Sequence, residues 1–401
     1  MTSFYGSIPP YTSIKPSSFP LISRLGFLTP SKKPALGIST KSQSSPENIR
    51  SQRYLLQDQS AKLLPKERVC NCLKKRIDKT KNRSVKYNES RKKAHYANVQ
   101  RCGSVWSCPV CAAQITEKRR LELQAATERW KTVHSGSMLL LTLTNAHNAS
   151  HSLQMLKSGQ KKAMAYFFGD REGKRLFALL GRQHHITNYE VTHGDNGWHP
   201  HHHILLFVDA ALSPAATQSI RDALAKHWIN CCAKAGLPLP NMTHGLDLKD
   251  GSYADQYVGK WGLEHEMTKG HVKKGKQGGL TPFDLLRLSF DDSKYGKLFQ
   301  EFALAFKGSR QLMWSRGLKA LLLIADQADE DLAQETEKDA IELCEVQALV
   351  FSLLCRYQKR SDYLTCLEND YQSGNFGATG EAQALLNNLI LLEMDRFQDT
   401  G

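Results

Sequence analysis

The sequence predicts an α+β fold, in which helices flank a central antiparallel sheet. Residues 138–144 form a short apolar run of the length that a central strand has. Two further strand-like runs, at 185–192 and 198–208, are joined by the sequence HGDNG, which is typical of a β-hairpin turn. Strands interrupted by helical stretches indicate a sandwich in which helices cover one face of the sheet. We expect the exposed face to carry the functional site.

Helices are expected on both sides of these runs, and the periodicity of apolar residues places them at about 116–134, 151–180 and 213–236. The third helix begins after Ser213 with a proline at its first position and ends at Gly236, which are usual start and stop signals. A final short strand is expected at 245–249.

Four segments of the chain differ in composition. Residues 1–60 are rich in Ser, Pro and Lys and have few periodic apolar positions, so they are predicted to be a disordered tail. Residues 61–130 are basic and Cys-rich, and residues 131–325 hold the strand-like runs of the main domain. Residues 326–401 turn acidic and are predicted to be helical.

The charge of the chain is strongly basic and unevenly distributed. The sequence has 54 Lys and Arg against 39 Asp and Glu, a formal net charge of +15. Residues 1–130 hold 25 basic and 8 acidic side chains, whereas residues 321–401 hold 5 basic and 16 acidic ones. We therefore expect the N-terminal part to contact a polyanion such as nucleic acid.

No apolar run reaches the roughly 20 residues that a membrane span needs, and the N-terminus lacks the apolar core of a signal peptide. The expectation is a cytoplasmic protein that does not contact membranes. Ten cysteines in such a chain are expected to be reduced thiols or metal ligands rather than disulfides.

Five of the cysteines are clustered in the basic segment and predict a structural Zn²⁺ site. The sequence CPVC at 108–111 has the form of a metal knuckle, and two more thiolates would complete a tetrahedral site. A redox pair is the alternative, but no thioredoxin-like unit surrounds it. Cys70 and Cys72 are interchangeable on sequence, and His95 is an outside candidate. The candidate ligands are Cys70, Cys72, Cys102, Cys108 and Cys111.

A row of histidines predicts a second metal site. Residues 198–208 read WHPHHHILLFV, so His199, His201 and His203 alternate along a strand and point to one face. The alternative is an exposed edge strand whose histidines are merely solvated. The apolar run that follows His203 disfavours this, because it makes the strand a core element.

Glu190 is the candidate carboxylate ligand of this row. If the hairpin has a two-residue turn at 195–196, Glu190 pairs opposite His201 and shares its face, whereas an odd loop places it on the other face. Two imidazoles and a carboxylate suit Mg²⁺ or Mn²⁺ acting on phosphate, although histidines would also accept Zn²⁺.

A tyrosine-bearing helix is predicted to follow. Ser252 and Asp255 have the form of a capping box, so Tyr253, Tyr257 and Lys260 would fall on one helix face. Tyrosine has a pKa of about 10 and needs nearby positive charge to act as a nucleophile, which a metal ion or Lys260 can supply. Core packing is the alternative for such tyrosines when they stand alone.

Three motifs resemble those of a known family. WHPHHH at 198–203 resembles the metal motif of the HUH endonucleases, and YVGK at 257–260 resembles their tyrosine motif. LTLT at 141–144 is similar to the strand motif that precedes both in rolling-circle replication initiators. Residues 101–111 and 308–319 are also similar to the initiator (Rep) proteins of small rolling-circle plasmids. The resemblance spans roughly residues 100–320.

This resemblance implies an HUH-type sheet in the 131–325 domain and a site-specific DNA nickase that also transfers and joins strands. His201 and His203 would be the metal pair. Tyr257 would nick one strand at the plasmid origin and hold its 5′ phosphate, which leaves a 3′-OH primer.

Two departures leave roles open. The position between His201 and His203 is usually bulky and apolar but is His202 here, so a ligand role for His199 or His202 is undecided. One turn before the nucleophile, some plasmid initiators have a carboxylate that ends the cycle, and certain phage initiators have a second tyrosine. This chain has Tyr253 there, with Asp255 and Glu264 nearby.

The expected partners are DNA, at the replication origin and at a single-stranded nick site, and host replication proteins such as a helicase. Self-association into a homodimer is a further role left open for the acidic C-terminal region. The alternatives are a relaxase or transposase of the same chemistry, and a zinc-bearing DNA-binding regulator in which the histidine strand is structural.

Overall fold

The computed structural model describes residues 46–251, 279–334 and 340–398. The chain divides into two compact units that interleave along the sequence. We call them the five-stranded unit, residues 52–75 and 100–335, and the three-stranded unit, residues 1–51, 76–99 and 336–401.

The described strands, in chain order, are β1 (Arg83–Asn88), β2 (Lys93–Ala97), β3 (Ser137–Leu143), β4 (Arg182–Gly194), β5 (Gly197–Val208), β6 (Leu246–Lys249), β7 (Leu312–Trp314) and β8 (Ala340–Val346). The described α-helices are α1 (Pro46–Leu63), α2 (Pro109–Val133), α3 (Leu153–Gly169), α4 (Arg171–Leu179), α5 (Pro214–Ala235), α6 (Pro282–Leu288), α7 (Ser293–Ala305), α8 (Leu318–Leu321), α9 (Asp329–Gln334), α10 (Ala348–Arg356), α11 (Arg360–Ser373) and α12 (Glu381–Gln398). Not one of these helices is long and apolar enough to cross a membrane.

The sheet of the five-stranded unit has the order β6-β3-β5-β4-β7, and every neighbouring pair is antiparallel. The predicted α+β class and antiparallel sheet are therefore confirmed. β5 lies in the middle because its C-terminal half is apolar, and the residues from Ile204 to Val208 are all buried. The long β4–β5 hairpin forms the centre of the unit.

Both faces of this sheet are covered in part, which corrects the expectation of one bare face. On one face α2 packs over the apolar side chains of the sheet. Its Trp130 joins Leu140, Ile186 and Leu205 in a buried core there. On the opposite face Gln160 of α3 donates to the Pro200 carbonyl at 2.8 Å. The single-sided sandwich was wrong because α2 precedes the first strand along the chain and nothing local shows which face it covers.

The three-stranded unit has the order β2-β1-β8, with β1 in the middle. Its strand β8 lies in the C-terminal region that the sequence predicts to be helical. The hairpin of β1 and β2 also separates residues 76–99 from the rest of the 61–130 segment. Both differences have one cause, since β8 pairs with a strand some 250 residues away and such pairing leaves no local signal.

Residues 46–63 form α1, which corrects the predicted disordered tail over 1–60. The helix buries polar residues that apolar periodicity does not detect. Ser60 is fully buried and donates to the Ser107 carbonyl at 2.5 Å. Gln57 is also buried and donates to Cys108 Sγ at 3.5 Å.

The β4–β5 hairpin turns through two residues, because Gly194 pairs with Gly197. Gly197 has φ of +81°, and a Cβ added there would lie 2.9 Å from Ala149 Cα. The hairpin therefore depends on glycine at this position for two reasons, backbone conformation and close approach.

We expect Gly197→Ala to lower the free energy of unfolding well beyond the cost of its positive φ. Gly236→Ala is the matched control, because Gly236 has φ of +71° but nothing lies within 4 Å of its added Cβ. The control should cost about 1–2 kcal/mol, and Gly197→Ala about 1–3 kcal/mol more. Denaturant unfolding of both variants measures this difference. Equal losses would contradict the close approach.

Candidate functional site

The histidine row lies at the N-terminal half of β5. His199, His201 and His203 are half-buried on one face, whereas Trp198, Pro200 and His202 are buried on the other. The alternation follows from the strand geometry, in which successive side chains point to opposite faces. The histidines share their face of β5 with Leu205 and Phe207, which belong to the core under α2. Along the strand, the histidines come directly before these apolar residues.

Glu190 lies on β4 directly opposite His201, which is the pairing expected for a two-residue turn. Its Oε2 atom is 3.3 Å from His201 Nε2 and 3.5 Å from His203 Nε2. One ligand atom from each of the three side chains lies within 4.8 Å of the others. His201 and His203 are 16% and 19% exposed. The structure therefore brings two imidazoles and a carboxylate together in a partly accessible group.

Hydrogen bonds from β3 and from β4 itself orient this group. Thr142 Oγ1 of β3 lies 2.9 Å from His203 Nδ1, and Asn188 Nδ2 donates to Glu190 Oε1 at 2.8 Å. With the Nδ1 atom of His203 engaged by Thr142, its Nε2 atom faces the carboxylate. Such outer contacts fix ring orientation in metal sites. Sequence reasoning missed both residues as participants, although Thr142 lies in the LTLT motif and Asn188 is two residues from Glu190.

The carboxylate of the group is ionised. Burial acts to raise the pKa of Glu190, but hydrogen bonds from His201 and His203 outweigh it and hold that pKa well below its usual range. An ionised carboxylate beside two imidazole nitrogens is a donor set that Mn²⁺, Mg²⁺ or Zn²⁺ accepts. The residues present therefore fit a divalent cation.

His199 lies outside the three-residue group, which corrects its place among the candidate ligands. Its ring stacks on His147 with centroids 4.7 Å apart. Burial, with the neighbouring His201 and His147, lowers the pKa of His199 to about 4. Alternate strand positions are about 7 Å apart, so three consecutive histidines of a row do not all reach one ion.

His202 faces the opposite side of the sheet and is only 5% exposed. Its ring stacks on Tyr189 at 4.3 Å, and its two nitrogens have no hydrogen-bond partner among the described residues. Burial lowers its pKa to about 3, so the ring is neutral. His202 therefore packs as a bulky neutral side chain, in the position where the HUH motif that this sequence resembles usually has an apolar one.

The tyrosine helix lies outside the described residues. Tyr253, Tyr257 and Lys260, with Asp255 and Glu264, all fall within residues 252–278. Their roles stay predictions from the sequence.

A second group consists of four buried thiols, Cys72, Cys102, Cys108 and Cys111. Cys108 caps α2 and Cys111 lies in its first turn, so the helix start fixes their spacing. Sγ–Sγ distances of 3.5 Å (Cys72–Cys111) and 3.7 Å (Cys72–Cys108 and Cys102–Cys111) connect the four. Tetrahedral zinc with bonds of about 2.3 Å places its sulfurs about 3.8 Å apart. The donor set and spacing therefore fit Zn²⁺.

Backbone amides support these sulfurs. Cys111 N donates to Cys108 Sγ at 3.5 Å, and Cys102 N donates to Cys72 Sγ at 3.4 Å. Burial raises the pKa of the Cys108 thiol, whereas hydrogen bonds from Cys102 and Cys108 lower that of Cys111. The hydrogen bonds therefore favour the thiolate at Cys111, and a bound cation would displace the protons of the other thiols.

Cys70 is not part of the thiol group. Its Sγ donates to the carbonyls of Leu64 and Ala61 at 3.0 and 3.3 Å. A 3₁₀ turn at Arg68–Asn71 ends between Cys70 and Cys72, and the two side chains diverge. The structure therefore selects Cys72 where the sequence left the choice open.

A third cluster, Asp170, His227 and Cys231, also brings three possible metal ligands together, but the contacts of its members are those of a packed interior. Asp170 caps α4 through Gly173 N, and burial raises the pKa of Cys231 to about 12. The thiol is neutral and fully buried in α5.

Comparison with known proteins places the chain in a family. Residues 93–363, more than half of the chain, match the replication protein family, and the chain belongs to it. It is a Rep-like protein of the rolling-circle plasmid type, as the motifs predicted, and a plasmid replication initiator.

The chain is similar to two curated Streptomyces proteins. It is 26% identical over 321 residues to "Protein rep" of Streptomyces lividans, which covers 61% of this chain and 69% of that protein. It is 29% identical over 133 residues to "Neomycin resistance protein" of Streptomyces cyanogenus, which covers 27% of this chain and 30% of that protein. No solved structure matches the chain.

We expect Thr142→Val to weaken Mn²⁺ binding at the Glu190 group about 10- to 100-fold, because His203 loses the contact that orients it. Thr144→Val is the control, since the Thr144 hydroxyl donates to the His244 carbonyl instead. Calorimetric titration with Mn²⁺ measures both affinities. Equal affinities for Thr142→Val and the parent would rule out the orienting role.

We expect replacement of Cys108 and Cys111 by Ser to remove bound zinc and lower the melting temperature, because structural zinc contributes folding free energy directly. Cys70→Ser should keep its bound zinc and melt at the temperature of the parent. Metal analysis and thermal unfolding of the three proteins provide the measurement. A purified parent without zinc, or a double variant that melts like the parent, would show that the thiol group has another role.

Proposed function

We propose that this replication protein is a nickase of the HUH type, which cuts one DNA strand at the origin of a rolling-circle plasmid. The observation that carries the proposal is the convergence of Glu190, His201 and His203 on the central hairpin of its antiparallel sheet. The HUH resemblance implies a central antiparallel sheet with flanking helices, and the five-stranded antiparallel sheet is compatible with that expectation.

Glu190, His201 and His203 would hold Mg²⁺ or Mn²⁺. When bound, such an ion neutralises charge on the phosphate that is cut and acts as a Lewis acid. Thr142 and Asn188 keep the ligand atoms oriented, so that little reorganisation is needed when the ion binds. The ionised state of Glu190 gives the site the negative charge that a hard cation needs.

Tyr257 would supply the nucleophile. Its phenolate oxygen attacks phosphorus and the bond from phosphorus to the 3′ oxygen breaks, while the phenol proton is lost and the 3′ oxygen gains one. The products are a 5′-phosphotyrosine and a free 3′-OH. Because one phosphoester replaces another, the reverse reaction rejoins strands. Lys260 would stabilise the phenolate or hold a phosphate oxygen, and Tyr253 or a nearby carboxylate would end the cycle.

The four-thiol group would hold a structural Zn²⁺ ion rather than a catalytic one. All four sulfurs are buried, and a closed four-thiolate site leaves no open coordination position for a substrate. The further partners that we propose are a host helicase and a second copy of the chain, which would form a homodimer.

Incubation with supercoiled plasmid that carries the native origin, in the presence of Mn²⁺, tests the nickase. We expect nicked circles and a covalent protein–DNA adduct from the parent. Tyr257→Phe should lower adduct formation at least about 10³-fold while DNA binding survives, because only the nucleophilic hydroxyl is lost. Tyr253→Phe is the matched control and should still form the adduct. EDTA should stop nicking without unfolding the protein, and added Mn²⁺ should restore it.

A parent that gives neither nicked circles nor adduct would favour the zinc-bearing regulator instead. If Tyr253→Phe alone removed the adduct, Tyr257 would be the wrong nucleophile.

A further inference from the structure

The five-stranded unit contains a cleft of about 970 Å³. It is lined by the loop 102–107 next to the thiol group, the basic segment 307–319 and the acidic segment 326–331, together with residues between 64 and 69, Arg119 and Ala303. Its volume is at the upper end of the range of roughly 300–1,000 Å³ for ligand pockets.

The cleft is connected to the proposed catalytic site through the sheet. β7 of the basic segment is an edge strand that pairs with β4, and Leu312 lies opposite Asn188. Asn188 is the residue that donates to Glu190. A DNA strand that passes the Glu190 group therefore has the basic segment beside it.

The cations of the cleft fall into two classes. Lys319 pairs with Asp326 at 2.9 Å, Arg119 with Asp329 at 2.7 Å and Arg68 with Glu330 at 3.4 Å. Arg310 and Arg316, in contrast, make no ion pair within 4 Å with any residue that the structure describes, although Arg310 interacts with Asp326 at longer range. Two guanidinium groups are thus available for an anion, and the acidic segment occupies the cations around them.

Aromatic and polar groups lie among these charges. The Trp106 indole donates to the Ser309 carbonyl at 2.7 Å, which fixes its ring at the cleft. Trp314 Nε1 and Gln311 Oε1 are buried atoms without a hydrogen-bond partner in the described chain. One orphan donor and one orphan acceptor in the same cleft are what a ligand with mixed hydrogen-bonding groups would satisfy.

We propose that this cleft binds a segment of single-stranded DNA beside the nick site. Arg310 and Arg316 contact its phosphates. An unpaired base near Gln311 replaces the Lys319 ammonium, which lies 5.3 Å from the centroid of the Trp314 ring. Tryptophan rings with interleaved arginines are typical of single-strand binding, because every unpaired base offers a face for stacking. A paired base does not expose that face, which favours a single strand over a duplex. The proposal rests on the proposed function, because it assigns the cleft to the same DNA.

The same geometry makes the acidic segment a competitor of DNA for the cations of the cleft. Asp326, Asp329 and Glu330 neutralise the cations that phosphates would otherwise contact. DNA binding therefore includes exchange of carboxylates for phosphates. Removal of carboxylates should strengthen binding, whereas removal of the unpaired arginines should weaken it.

The test measures binding of a fluorescent single-stranded oligonucleotide by anisotropy, with EDTA present and in the Tyr257→Phe background. Arg310→Gln with Arg316→Gln should weaken binding at least tenfold near 0.1 M salt. The slope of log K against log salt should flatten by about 1.4, which corresponds to two lost contacts at about 0.7 each on a single strand. Arg171→Gln with Lys174→Gln is the control, because it removes two exposed charges of α4.

Asp326→Asn with Glu330→Gln should tighten binding severalfold, while Glu172→Gln with Asp222→Asn, two carboxylates that also pair with arginines of this unit, should not. A duplex of the same sequence should lose little affinity in the arginine variant. Unchanged single-strand binding, or equal losses for single strand and duplex, would overturn the proposal. Because no divalent ion or nucleophile is present, this result is independent of whether the parent nicks plasmid.

Discussion

The candidate site depends on the register between β4 and β5. A two-residue turn with Gly197 at positive φ pairs Glu190 with His201, and all three ligand candidates then share one face. Because side chains alternate along a strand, a slip of one residue would move the carboxylate to the opposite face and leave the two imidazoles without it. The close approach of Gly197 to Ala149 helps to hold this register.

The same face of the sheet carries both the core and the site. Leu140, Leu205 and Ile186 form one row across three strands, and Thr142, His203 and Asn188 form the next. Helix α2 packs on the apolar row, and the polar row lies next to it along the strands. The polar groups next to the core are hydrogen-bonded to one another, which lowers the cost of placing them at its edge.

The thiol group and the sheet are connected through α2. The helix begins at the Cys108 cap, and Trp130 near its other end packs on Phe207 and donates to the Val208 carbonyl. A cation bound by the four thiols would therefore also fix the start of α2, the helix that covers the sheet. A structural cation at the thiol group would therefore also stabilise the domain that carries the Glu190 group.

The sequence by itself determined what depends on local spacing. Strand alternation placed His201 and His203 together, and the interval between Cys108 and Cys111 marked the thiol group. The position of Glu190 depended on the length of the hairpin turn, and the structure shows the two-residue turn that puts Glu190 opposite His201. Only the tertiary structure decided what depends on distant partners. Cys72 rather than Cys70 joins the thiol group because a 3₁₀ turn ends between them, and β8 forms because it pairs with β1, far along the chain. Helix α1 formed because polar Gln57 and Ser60 found buried partners. Contacts between remote segments have no local periodicity, so no pattern along the chain could reveal them.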